Sequence, residues 1–401
     1  MKWVSSFKYL PINYGMTLAV LTDRTQRVSF DNNLNGNKVR ILFSNKYAKA
    51  PLKLKRVVIG VENDKGEIER TTEVTLHGSF EIILQSGEEI YSDEAELTVK
   101  ASDRLAVSIY LDQKQEIQSL CGYWAKNGAE VRCNVQGDNT GEKISQSVSM
   151  EEIYGFVKED PSPLKGEFFF GFSAVQVLTD DHVKVIAAFG DSITEMSFFT
   201  NALQKRLYDK YPGQVTLLNI GIGGNRLLHD ATWIPEAPAE GGLFGDAGVR
   251  RFEKDVFGTD KIDSIFCLMG INDIMHPVQF EGAEEAVSAE YLKKGYAYIA
   301  QKAHEHGARI YGATIMPCVN KEYPEKWVQV FEKTRIAVNE WMRTQSPYNG
   351  YFDFDAILRD DLMPSYLREE VHIGDGLHPN TTGGKMLAEC MQLSVLTGIE
   401  D

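Results

Sequence analysis

The run Val183-Lys184-Val185-Ile186-Ala187-Ala188-Phe189 ends in Gly190-Asp191-Ser192, and a helix-like segment follows to about Tyr211. An apolar run of this length, closed by turn residues, fits a strand buried on both faces of a parallel sheet. In open α/β sheets ligands bind beyond the carboxyl ends of the strands, and Ser192 stands at such an address. It reads either as a nucleophile or as the N-cap of the following helix, a position that serine also favours.

From this run onward, strand-like and helix-like stretches alternate. Val215–Ile220, Ser264–Met269, Ala308–Ile315 and Tyr351–Phe354 read as four further strands. Helical segments are predicted at about Phe198–Tyr211, Val249–Phe257, Glu285–His306, Trp327–Thr344 and Thr382–Leu396. Five strands with helices between them predict a three-layer α/β/α domain with a parallel sheet.

The first part of the chain is different. From about Val28 to Leu178 short stretches alternate with period 2, as in Val39-x-Ile41-x-Phe43, Leu105-x-Val107-x-Ile109 and Ala95–Val99. Polar turns such as Asn32–Gly36 and Glu62–Gly66 separate them. This pattern predicts an all-β antiparallel sandwich, jelly-roll-like. A chain of 401 residues exceeds one ordinary core. The expected division is 1–180 for the sandwich and 181–401 for the α/β domain. Trp124 beside Tyr123 is a candidate for stacking on a sugar; packing at the domain interface is the alternative.

Four polar motifs fall at strand ends or in loops: Gly190-Asp191-Ser192-Ile193-Thr194, Asn219-Ile220-Gly221-Ile222-Gly223-Gly224-Asn225-Arg226, Gly270-Ile271-Asn272-Asp273 and Asp375-Gly376-Leu377-His378. Parallel strands share one carboxyl edge, which gathers these loops into a parts list for acyl transfer. Ser192 needs a base to take its proton, and His378 is the candidate. Asp375 would orient and charge-balance the imidazole. The backbone N–H groups of Ser192 and Gly224 and the amide of Asn272 are candidate donors to a tetrahedral oxyanion. Asp191 and Asp273 are expected to hold loops by hydrogen bonds, with His276 and Arg226 either reaching the substrate or lying on the cleft rim.

These four blocks resemble those of the SGNH (GDSL-type) hydrolase superfamily, and the order in which they occur is more specific than any one of them. The resemblance implies Ser192 as nucleophile, His378 as base, Asp375 as its partner, and Ser192, Gly224 and Asn272 as the oxyanion hole. It selects Gly224 because this glycine stands five residues after Asn219, leaving Gly221 and Gly223 as turn-formers. Met196 departs from the family's usual small residue and is expected to reshape one wall of the site. With a sandwich in front, the chain is similar to two-domain bacterial members, including carbohydrate acetylesterases. That similarity implies an esterase for short acyl groups, acetyl first, on a carbohydrate. The alternatives are a short-chain lipase or lysophospholipase-like acylhydrolase, and a sugar-binding or scaffolding protein with a degenerate site.

Composition excludes more than it identifies. A net charge of −15 repels nucleic acid and anionic lipid, so neither nucleic acid nor membrane is expected as a partner. The expected partner is a small-molecule or oligosaccharide ester, and the oligomeric state is left open, a homo-oligomer included. No metal site is expected, because His304-Glu305-His306 lacks ligand spacing and reads as a solvated helix end, and no cofactor, because Arg226 stands where the Gly221-x-Gly223 pattern would need its third glycine. The five scattered cysteines read as reduced thiols, with a Cys121–Cys133 bridge as the alternative. Thr17–Leu21 is too short for a signal h-region, so the expected location is cytoplasmic. One long loop, His229–Gly248 with Trp233, is expected to wall the cleft.

Overall fold

The structure, a computed structural model, describes residues 1–160, 164–230, 242–280 and 285–400. The chain divides into two compact units: Met1–Val183 with Leu207–Leu218, and Lys184–Arg206 with Asn219–Asp401.

The first unit is built from antiparallel strands. One sheet orders Lys2–Lys8, Gly171–Thr179, Gly36–Ser44 and Glu89–Tyr91, with Ala95–Val99 also paired to Gly36–Ser44. A second orders Ala129–Cys133, Arg24–Asp31, Arg104–Leu111, Arg56–Glu62 and Ile68–Glu73. Strict alternation in Ala95-Glu96-Leu97-Thr98-Val99 turns Ala95, Leu97 and Val99 inward and leaves the two polar residues exposed. The two sheets meet through aromatic side chains, the Phe7 and Phe30 rings stacking at 4.4 Å. The expected sandwich is therefore present, and it begins at Lys2, well before Val28. That first strand is hard to read because Ser5, Ser6 and Lys8 are polar yet buried, and a register shift between Ser5 and Phe7 interrupts the period. Leu207–Leu218 belongs to this unit in part because Asn33 Nδ2 donates to the carbonyls of Tyr211 and Val215, at 3.0 and 2.9 Å. Trp124 is half-buried and packs edge-on against Phe168 of the same unit, with ring centroids 5.6 Å apart.

In the α/β region the five-stranded parallel sheet runs in the order Val215–Gly221, Lys184–Gly190, Ser264–Leu268, Arg309–Ala313, Gly350–Phe352. Ser264–Leu268 is buried along its whole length and Lys184–Gly190 from Val185 onward, as continuous apolar runs require. Helices Phe198–Lys210, Gly248–Phe257, Ala289–Glu305 and Glu325–Thr344 connect the strands close to their expected positions. Three differences stand out. The segment after the third strand is a helix, Ile271–Gln279, entered through Gly270 at φ +104°. A short helix, Phe354–Leu358, follows the fifth strand, where Asp353 caps it by accepting the Ala356 N–H. The last helix is split into Thr381–Cys390 and Leu393–Thr397.

All five cysteines are free thiols, so Cys121 and Cys133 are not bridged. Among the described residues, no helix is long and apolar enough to cross a membrane.

Candidate active site

The strand Lys184–Gly190 ends where a Cβ on Gly190 would lie 2.0 Å from Thr194 Oγ1, so only glycine lets the next turn fold back so closely. Asp191 caps that turn, its Oδ1 accepting the Ile193 N–H at 3.0 Å. The N-cap reading of Ser192 therefore passes to its neighbour, and Ser192 becomes the first residue of the Ser192–Glu195 turn. Its Oγ lies 2.8 Å from His378 Nε2.

His378 comes from the loop that joins Val371 to the helix Thr381–Cys390. Its Nδ1 lies 2.6 Å from Asp375 Oδ2, while Asp375 Oδ1 accepts the backbone N–H groups of Leu377 and His378 at 2.9 and 3.0 Å. Burial pushes the Asp375 carboxyl up, but the hydrogen bond and charge of His378, with the two backbone donors, more than offset it. The carboxyl is held below its ordinary value. An ionised carboxylate against Nδ1 fixes the proton there and leaves Nε2 to accept from the Ser192 hydroxyl.

The second strand ends differently from expectation. Gly221 is the last strand residue rather than a turn-former, and it is glycine because a Cβ would lie 2.3 Å from the Glu195 backbone nitrogen. The positive φ of this stretch belongs to Gly224, at +67°. A Cβ on Gly224 would lie 2.1 Å from Phe244 Cδ1. Asn225 Nδ2 donates to the carbonyls of Phe244 and Asp246, at 2.7 and 2.8 Å, which fastens the end of the long loop to this turn. Of that loop, which is expected to wall the cleft, residues 231–241 with Trp233 lie outside the described residues.

Asn272 sits in the first turn of Ile271–Gln279, buried, and its Nδ2 donates to the Asn225 carbonyl at 3.0 Å. An amide nitrogen carries two protons, so this anchor leaves one to donate. Asp273 accepts the N–H groups of Leu227 and Leu228 at 2.6 and 2.9 Å and holds the loops as expected. Burial pushes its carboxyl up to about 6 against those two donors.

Sequence reasoning missed Arg251. Its guanidinium lies 4.3 Å over the Phe189 ring and donates to the carbonyls of Gly190 and Ile220, at 2.8 and 3.2 Å, and to Asn225 Oδ1 at 2.8 Å. One buried cation thus ties the ends of two strands to the glycine turn, with Asp255 beside it at 3.3 Å. A signal existed. Gly248, Arg251, Phe252, Asp255 and Val256 form the buried stripe of their helix, so an Arg and an Asp stand where only apolar residues are ordinarily found. Glu195 was also missed. It is buried, accepts the Gly223 N–H, and is pushed up to about 8 by burial.

Arg226 and His276 are not on an exposed rim, because both are buried. Arg226 Nη1 meets Glu285 Oε2 at 2.5 Å, and the other guanidinium nitrogen donates to the Asp230 carbonyl. The His276 ring sits 5.3 Å from Phe244 and 5.1 Å from Phe280, and burial brings its pKa down to about 3. Met196 is buried at the end of the Ser192–Glu195 turn. His304 and His306 are exposed, the latter stacked on Phe257. Among the described residues, no group of three His, Cys, Asp or Glu side chains is close enough to hold a metal ion.

Comparison with known proteins places this region. Residues 188–386 match the model of the GDSL-like Lipase/Acylhydrolase family, so the C-terminal half of the chain carries a GDSL-like hydrolase domain. Three solved structures that resemble it come from different bacteria. A variant of an acetyl xylan esterase from Geobacillus stearothermophilus is 18% identical, covering 54% of this chain and 97% of that one, with a TM-score of 0.39. An aryl esterase from M. Smegmatis is 14% identical over 51% of this chain and 95% of that one, with a TM-score of 0.38. A GDSL-like lipase from Bacteroides thetaiotaomicron is 15% identical over 54% and 89%, with a TM-score of 0.37. No curated protein matches the chain in sequence.

Proposed function

We propose that this chain, whose C-terminal half carries a GDSL-like hydrolase domain, is a serine esterase for short acyl esters, with acetyl esters of a carbohydrate as its substrate class. The observation that carries the reading is the continuous hydrogen-bonded path from Ser192 Oγ through both nitrogens of His378 to Asp375, with contacts of 2.8 and 2.6 Å.

The chemistry comes from that path. Ser192 Oγ attacks the ester carbonyl as His378 Nε2 takes its proton, and Asp375 stabilises the imidazolium that forms. The carbonyl oxygen, now negative, accepts from the N–H groups of Ser192 and Gly224 and from the Asn272 amide. Collapse of this intermediate expels the alcohol, which takes the proton from His378 and leaves an acyl-Ser192 ester. Water, deprotonated by the same histidine, then releases the acid and restores the hydroxyl. The hydrogen bond from Asn272 Nδ2 to the carbonyl of Asn225, the neighbour of Gly224, supports this assignment of donors.

The acetyl and carbohydrate parts rest on the resemblance of the sequence blocks. A panel of nitrophenyl esters from acetate to decanoate, run beside acetylated oligosaccharides with Ser192→Ala as control, tests them. Highest kcat/KM on acetate and deacetylation of the oligosaccharide are expected. Activity that rises with chain length would replace this reading with the lipase-like one, and full activity in Ser192→Ala would end both.

A further inference from the structure

His372 lies six residues before His378, and no step of the proposed reaction uses it. Its ring nevertheless sits inside the loop that delivers the acid–base pair. Nδ1 accepts the backbone N–H of Gly374 at 3.0 Å and that of Gly376 at 3.1 Å. Both glycines have positive φ, +109° and +72°, so the chain here doubles back around the imidazole. The base of the loop is closed by Ile373 N–H to the His378 carbonyl at 3.0 Å and Asn380 N–H to the Val371 carbonyl at 2.9 Å. Asn380 Nδ2 holds the His372 carbonyl itself, at 2.9 Å. Asp375 stands between the two glycines whose N–H groups the ring accepts. Its own oxygens are spent on Leu377 and His378.

From this geometry we infer that His372 is a positioning residue: its Nδ1 is the acceptor that sets the place of Asp375, and through it the aim of His378. The inference rests on the esterase reading above. A backbone donor left without an acceptor seeks another one, and the Gly374–Gly376 turn would move to find it. A displacement of about 1 Å at a reacting group costs on the order of a hundredfold in rate, so a small movement of Asp375 is enough to register.

The test compares His372→Phe, which keeps the ring shape and removes the acceptor, with His372→Asn, whose Oδ1 replaces Nδ1 as acceptor. Both are made in the full chain and assayed on nitrophenyl acetate, with thermal melting alongside. His372→Phe should lower kcat by roughly tenfold to a hundredfold with KM little changed, and His372→Asn should restore most of it. The inference is overturned if Phe and Asn behave alike, or if the loss falls on KM. Should His372→Phe not fold, His372→Asn decides by itself: near wild-type kcat supports the acceptor role, and a loss equal to that of Asp375→Asn removes it. Wild-type protein without Ser192-dependent activity would remove the esterase reading and this inference together. An active wild type matched by an unimpaired His372→Phe removes this inference only.

Discussion

Ser192 Oγ lies 2.8 Å from His378 Nε2, although 186 positions separate the two residues in the chain. The distance suits proton transfer as it stands. Ser192→Ala should lower kcat for a nitrophenyl acetate substrate by roughly 10⁴-fold or more, and Asp375→Asn by about 10⁴-fold, with little change in melting temperature. Steady-state kinetics on folded variants checks both; residual kcat within tenfold of wild type for either would remove that residue from the mechanism.

Gly224 and Phe244 are packed so closely that a methyl group on the glycine would overlap the ring, at 2.1 Å from Cδ1. Gly224→Ala should therefore lose activity through two effects, a clash and the strain of alanine at φ +67°. The strain amounts to about 1–2 kcal/mol. Adding Phe244→Ala relieves the clash alone, so the double variant should recover part of the lost kcat. Phe244→Ala by itself should shift the preferred acyl chain to longer esters. A double variant as poor as Gly224→Ala would show that strain alone is at work. Asn272→Ala should cost roughly 2.7–4 kcal/mol of barrier, seen in kcat more than KM.

Arg251 holds Gly190, Ile220 and Asn225 at once from a buried position. Arg251→Met removes the donor to two carbonyls and Asn225 Oδ1 and the cation beside Asp255, a loss of about 3–5 kcal/mol for a broken buried pair. A clear drop in the urea midpoint is expected, together with reduced activity as the two strand ends loosen. An unchanged midpoint would mean that water replaces the guanidinium at no cost.

Glu195 gives a pH test. Burial raises its carboxyl from 4.5 to about 8 in the folded protein, so between those values the folded state holds a proton that the unfolded chain releases. Stability from this group is therefore greatest below about 4.5, falls as pH rises through the window, and levels off above about 8. Asp191, raised to about 7 by burial, acts in the same direction. Glu195→Gln keeps an acceptor for the Gly223 N–H and has no charge to bury. Its melting temperature should fall less than that of wild type between pH 5 and pH 8. Equal falls would show that Glu195 does not carry this dependence.

The parallel strands were legible because apolar runs buried on both faces allow few other structures, and Lys184–Gly190 and Ser264–Leu268 lie where the runs placed them. The helix Ile271–Gln279 was hidden by its own composition, since it carries Pro277 and has the polar pair Asn272-Asp273 in its first turn. The strand Lys2–Lys8 was hidden by buried serines: Ser6 Oγ, for example, is satisfied by Asn32 Oδ1 at 2.7 Å, a partner no local pattern reveals. Gly221 looked like a turn residue because spacing cannot separate a glycine needed for φ from one needed for close approach.

By itself, the sequence determined which chemistry-bearing residues stand at strand ends, because hydrophobic periodicity decides where strands stop and short motifs supply the polar groups just beyond them. Tertiary structure alone decided which of those residues meet. Ser192 reaches His378 only when the sheet is assembled, and Arg251 and His372 take up their roles by accepting or donating to backbone groups. Every residue carries such groups alike, so nothing in the order of side chains marks the ones that a distant ring or guanidinium will find.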